Sequence, residues 1–187
     1  SYCAVIDTAG TFYQNLGFDN AVYALANLDN RRLAVGGAFE TTEDGKPADG
    51  LAIFEPAQFT PLTFSKGFNC GIPRALAYLG NDKLAVGGYI TRVGSLPGTS
   101  TNPTTALAVI NVDNGDIVKT FSNIELSGGT KRVQALADLS NNYLVVGGDF
   151  TNMHNDCPGA PNGTPCQHLA ILYNAQTILE PTTQQVN

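Results

Sequence analysis

One block of sixteen residues recurs three times without a gap. It reads ALANLDNRRLAVGGAF at Ala24–Phe39, ALAYLGNDKLAVGGYI at Ala75–Ile90 and ALADLSNNYLVVGGDF at Ala135–Phe150. A repeat at this spacing constrains the fold more than any local propensity, because each copy must solve the same burial problem. Each copy holds two apolar runs about a polar turn, which is Asp29-Asn30-Arg31, Gly80-Asn81-Asp82-Lys83 or Ser140-Asn141-Asn142. Short apolar runs bounded by Asn, Asp and Gly predict a β-hairpin. Helical spacing is not sustained, and a glycine pair would end a helix. The runs alternate little with polar residues, which predicts strands buried on both faces. The pairs Gly36-Gly37, Gly87-Gly88 and Gly147-Gly148 mark a place where backbones approach closely or a strand bends. No helix follows them, so a phosphate cradle is the weaker reading.

A second apolar motif follows each block after a loop: Leu51-Ala52-Ile53-Phe54, Leu107-Ala108-Val109-Ile110 and Leu169-Ala170-Ile171-Leu172. In the middle copy, Asp113-Asn114-Gly115-Asp116 adds a hairpin turn beyond it. Each unit is therefore expected to be four strands, hairpin, loop, hairpin. Cys3-Ala4-Val5-Ile6 repeats the second motif, so the chain opens in the middle of a unit. Residues 1–20 supply the outer hairpin of a partial unit, and fuller units follow at 21–67, 68–129 and 130–187. The loops TTEDGKPADG, TRVGSLPGTSTNPTT and TNMHNDCPGAPNGTPCQH occupy the same place in the three units. Insertions confined to one position per repeat map to one face, often a binding face. The expected fold is all-β, a β-propeller of four-stranded blades with about three and a half blades in this chain. The ring is then completed by further sequence, the favoured case, or by a second copy. An open solenoid needs capping repeats that this sequence does not display.

Composition narrows the function classes. The chain has 187 residues, 43% of them hydrophobic and 14% charged, enough to bury a core and too apolar for disorder. A formal charge of −6 argues against capture of nucleic acid or of an anionic membrane surface. No apolar segment reaches spanning length. Few lysines, loops rich in Thr, Asn and Gly, and the acceptor Asn162-Gly163-Thr164 point outside the cytoplasm, to an extracellular or cell-surface setting. Cys157 and Cys166 bracket a loop of Pro, Gly and Asn, where a local disulfide would contribute about 2–3 kcal/mol. Cys3 and Cys70 either pair across neighbouring units or remain buried thiols.

The pattern A-L-A-x-L-x-(N/D)-x-x-L-(A/V)-V-G-G-x-F, followed by L-A-x-(I/L/F) and T-F, resembles the Delta-60 repeat β-propellers. It is also similar to the propeller repeats of fungal cortical marker proteins. The likeness covers essentially the whole chain, departing in the long cysteine-containing loop and in weak outer hairpins. It implies a large secreted or surface-anchored protein. It carries no catalytic motif to transfer.

Candidate chemistry gathers in the loops. His154, Cys157, Cys166 and His168 have the residue types of a zinc site, yet the spacing fits no familiar finger and an oxidising compartment favours the disulfide. Asp149, Asn152, Asn155 and Asp156, and in unit one Glu40, Glu43, Asp44 and Asp49, offer oxygen ligands that calcium would accept. None follows a dedicated calcium-loop pattern, so a solvated loop is preferred and no cofactor is assigned. Phe39, Tyr89 and Phe150 follow the glycines, with Ile90 in the Phe position of unit two, and are expected to pack between blades. No nucleophile elbow or convincing base is present, so no catalytic residue is named. The expected function is a non-catalytic structural or adhesive module that binds a protein or glycan through the inter-hairpin loops. Asp149, Asn152, His154, Asp156 and His168 are its candidates. The alternatives are a subunit of an extracellular filament or surface assembly, and a lectin or glycan-active enzyme.

Overall fold

The computed structural model describes residues 3–29, 31–56, 62–90, 105–121, 124–125, 132–139, 143–150, 152–153 and 168–173. Among these residues every regular element is a β-strand. In chain order they are β1 (Ala4–Ile6), β2 (Phe12–Asn15), β3 (Val22–Leu28), β4 (Arg32–Gly37), β5 (Gly50–Pro56), β6 (Leu62–Asn69), β7 (Ile72–Gly80) and β8 (Lys83–Ile90). There follow β9 (Thr105–Asn111), β10 (Ile117–Thr120), β11 (Ile124–Glu125), β12 (Arg132–Asp138), β13 (Tyr143–Asp149), β14 (Asn152–Met153) and β15 (Leu169–Tyr173).

Two four-stranded antiparallel meanders, β3-β4-β5-β6 and β7-β8-β9-β10, follow one another, and β12-β13-β15 form a third sheet. β1 and β2 make a separate hairpin, and β11 pairs with β14. The polar turns do what their composition allows. Asp29, Asn81 and Asp82 all take positive φ, a region that short polar side chains tolerate and that tight hairpins require.

Three apolar layers lie between these elements. Leu51 and Ile53 meet Leu84, Val86, Ala108 and Ile110 between the first two sheets. Ala85, Leu107 and Val109 meet Val133, Leu144, Val146 and Leu172 between the second and third. Cys3 and Val5 of the first hairpin meet Leu33, Val35, Ala52 and Phe54. Burying each such aliphatic side chain is worth about 1.5–3 kcal/mol, so the layers dominate stability.

The two glycines of the first two pairs have different tasks, and in the third pair only the second glycine is crowded. The first admits the neighbouring sheet: a Cβ on Gly36 would lie 3.0 Å from Pro73 and 3.3 Å from Leu76. A Cβ on Gly87 would overlap Val133 and lie 3.2 Å from Leu136. The second admits its own partner strand, since a Cβ on Gly37, Gly88 or Gly148 would strike the backbone carbonyl of Ala21, Ile72 or Arg132. That crowding comes from a bulge at the same register in all three sheets. Val22 faces Gly37 while Ala24 faces Gly36, and the same skip occurs at Pro73/Ala75 and Val133/Ala135.

Burial on both strand faces holds for the inner layers and fails at the end of the stack. Leu51 and Leu107 are 0% exposed, whereas the equivalent Leu169 is 61% exposed, with no further sheet over it among the described residues. Cys3 and Cys70 are free thiols, so the bridge between them is not made. Cys70 instead fills part of the layer between the first two sheets. Phe39, Ile90 and Phe150 are buried as expected of packing residues, while Tyr89 remains 39% exposed.

Leu76→Ala is expected to cost about 2–4 kcal/mol in urea denaturation, and Leu25→Ala at the equivalent exposed position well under about 1 kcal/mol. Gly87→Ala should cost about 1–3 kcal/mol through forced overlap, whereas Gly147→Ala, with no neighbour nearer than 3.5 Å, should be close to neutral. Burial pushes the Cys70 thiol up to about 12. Thiol titration at pH 8 followed by mass mapping should therefore label half-buried Cys3 in the native state, and Cys70 only after unfolding.

Candidate functional site

The two ends of the sheets differ in chemistry. At the turn end, Arg32 bridges the first sheet to the second: Nη2 bonds Asp29 at 2.8 Å and Asp82 at 2.5 Å, and Nη1 bonds Asp113 at 2.6 Å. Asp29 above all, then Asp82 and Asp113, hold the guanidinium more firmly protonated than usual, against the opposing effect of burial. This end is cross-linked, with one guanidinium shared among three carboxylates.

The glycine end is where the bulges and inter-hairpin loops lie. Each bulge gives one extra residue to the inner strand: Tyr23, Arg74 and Gln134. Bulges re-aim side chains, and these three are free of the layers that hold their neighbours. The Arg74 guanidinium lies 4.6 Å from the centre of the Tyr23 ring, a cation–π contact between successive sheets. Gln134 donates from Nε2 to Asp149 Oδ2 at 2.6 Å. Exposed Tyr89 lies on β8 beside the second glycine of its pair.

The first inter-hairpin loop, residues 38–49, is held by its own hydrogen bonds. Asp19 accepts from Glu40 N at 2.9 Å, from Thr41 N at 3.2 Å and from Thr41 Oγ1 at 3.0 Å. Burial opposes ionisation of Asp19, but the Thr41 and Glu40 amides outweigh it and hold the carboxyl below its ordinary range. Thr42 bonds Asp44 Oδ1, and Asp44 pairs with Lys46 at 2.6 Å. A hydrogen-bonded loop of this kind presents a fixed surface rather than a loose one.

Of the residues singled out in the sequence, Asp149 and His168 come together at this end. His168 Nδ1 lies 3.3 Å from the carbonyl of Gly148, the residue next to Asp149. His168 takes positive φ and donates its amide to Phe150 O, as Gly50 does to Phe39 O at the equivalent point of the first sheet. Asn152 lies on β14, which pairs with β11. His154, Asp156, Cys157, Asn162 and Cys166 lie outside the described residues, and with them the disulfide, zinc and acceptor readings. Among the described residues no three His, Cys, Asp or Glu side chains are grouped so that they could hold a metal ion. Sequence reasoning missed Tyr23, Arg74 and Gln134. The signal was present, since each immediately precedes the Ala-Leu-Ala run and differs between copies while the run is kept.

Tyr23, Arg74, Gln134 and Asp149 thus put an aromatic face, a guanidinium, an amide and a carboxylate at the glycine ends of three sheets. Aromatic faces take up apolar or sugar-ring surfaces, and the polar groups fix orientation. Comparison with protein families, with curated proteins and with solved structures finds no match for this chain.

Asp19→Ala should free residues 38–49, seen as faster amide exchange and proteolysis there, at about 1 kcal/mol of global stability. Because the folded-state pKa of Asp19 is depressed, its contribution is present above the unfolded value of about 4 and is lost as pH falls through the folded value. Loop exchange should therefore quicken below about pH 4 in the parent and show less pH dependence in Asp19→Ala. Arg32→Ala leaves three carboxylates facing one another and should cost about 1–2 kcal/mol, less at high salt.

Proposed function

We propose that this chain is a non-catalytic β-propeller module working outside the cell or at its surface. It holds a protein or glycan partner at the sheet end where bulges and inter-hairpin loops meet. The observation that carries this reading is the bulge at one register of three successive sheets. It gives each sheet one side chain that varies without disturbing the layers, and the first two of these, Tyr23 and Arg74, are in contact.

Propeller geometry is supported by how the sheets succeed one another. The inner strand β7 lies against β3 on one side and β12 on the other, so the first strands of the three meanders are neighbours. Blades arranged around an axis have this relation, with the loops after each second strand sharing a rim. Adhesion fits the chemistry of that rim better than turnover does. Asp149 is engaged by Gln134, and His168 is set against a backbone carbonyl. The low charge, with acidic residues in excess, suits contact with neutral or hydroxyl-rich surfaces.

The test is to present the labelled chain to an array of glycans and to immobilised cell-surface protein. Tyr23→Ala and Arg74→Ala are expected to weaken the strongest interaction by about tenfold each, as loss of an anchor does. Lys83→Ala, at the opposite end, should leave it unchanged. Equal binding by all three variants would overturn the assignment of the glycine end.

A further inference from the structure

The first hairpin stands to the sheet β3–β6 as β5 and β6 stand to the sheet β7–β10. Cys3-Ala4-Val5-Ile6 aligns with Leu51-Ala52-Ile53-Phe54, and Cys3 and Val5 press on Leu33, Val35, Ala52 and Phe54. Leu51 and Ile53 press on the four equivalent residues of the next sheet. Here the likeness stops. β5 is bonded on one edge to β4 and on the other to β6, whereas β1 is bonded to β2 alone among the described strands.

The uncovered edge of β1 is therefore the one that corresponds to the β4 side of β5. The surface beside that edge is bare as well. Leu25 on β3 is 55% exposed, while its counterpart Leu76, seated against Gly36, is 8% exposed. Among the described residues, an unbonded strand edge and a protruding leucine border one slot, the place that β3 and β4 take against the next sheet.

We propose that this slot is a hairpin-acceptor site, and that its occupant is a β-hairpin built on the A-L-A-x-L…V-G-G block. Strand addition to the open edge of β1 supplies backbone hydrogen bonds, as β-augmentation does elsewhere. Specificity comes from Leu25, which requires a glycine opposite it. Any larger residue would meet Leu25 as a Cβ on Gly36 would meet Leu76 at 3.3 Å. The second glycine is required too, since the incoming hairpin carries its own bulge. The inference rests on the layered packing and is independent of binding at the loop end.

The experiment extends the full chain at its start with its own residues 73–90, joined through a linker about as long as residues 38–49. The extended chain is expected to melt about 5 °C higher than the parent. Amide exchange in Ala4–Ile6 should slow by about tenfold or more as the edge becomes paired. An extension with Gly87→Val and Gly88→Val should give neither effect, and Leu25→Asp in the host should abolish both. Leu25 is exposed, so that substitution leaves the parent folded and the comparison valid. Equal melting and exchange for both extensions would overturn the proposal, as would a gain that survives Leu25→Asp. Light scattering of the unextended chain supplies one further outcome. A stable dimer dispersed by Leu25→Asp would identify a second copy as the occupant and overturn the hairpin assignment.

Discussion

The structure depends on how closely one sheet approaches the next. Leu76 rests where Gly36 has no side chain, and Leu136 rests where Gly87 has none. A glycine in a strand ordinarily weakens it by giving up packing and by adding backbone entropy to the unfolded chain. Here the loss is offset because a leucine from the neighbouring sheet occupies the vacated volume. The layers of Leu, Ile and Val around that contact follow from it, since the sheets could not close on one another if the glycine positions were filled.

The second glycine of each pair extends the same logic to the backbone. It lets the inner strand swell by one residue without colliding with its partner, so a bulge survives in the middle of an otherwise regular meander. Core and surface are thereby separated at one place in each sheet. The sixteen-residue block stays nearly constant because its side chains are committed to the layers. Tyr23, Arg74 and Gln134 differ because theirs are not. At the opposite end Arg32 joins turns from two sheets through three carboxylates.

Much of the fold was legible in the sequence. The three blocks named the hairpins, the turn residues named the turns, and the second motif placed β5, β9 and β15. Contacts between sheets were not legible, because they join residues far apart in the chain. Nothing local in Arg32 indicates that it meets Asp82 and Asp113, and nothing in Cys70 shows that it lies in an apolar layer rather than in a bridge. The bulges escaped for a different reason: alternation of apolar and polar residues cannot reveal a skipped register when both faces are apolar. The candidate site was therefore read only through its loops and their acids, while the aromatic and cationic part of it lay one residue outside the repeating block.

The order of the layers has a consequence for how the molecule loses its structure. The sheet β7–β10 is covered on both sides, whereas β12, β13 and β15 present Ala135, Ala137, Leu169 and Ile171 outward. In a stack joined mainly by nearest-neighbour contacts, melting proceeds from the side with fewer attachments, as a zipper opens from its free end. Among the three larger described sheets the three-stranded one has the fewest attachments and is then the first to fray. The central meander behaves as a keystone, the last element to let go and the one whose repair restores the others.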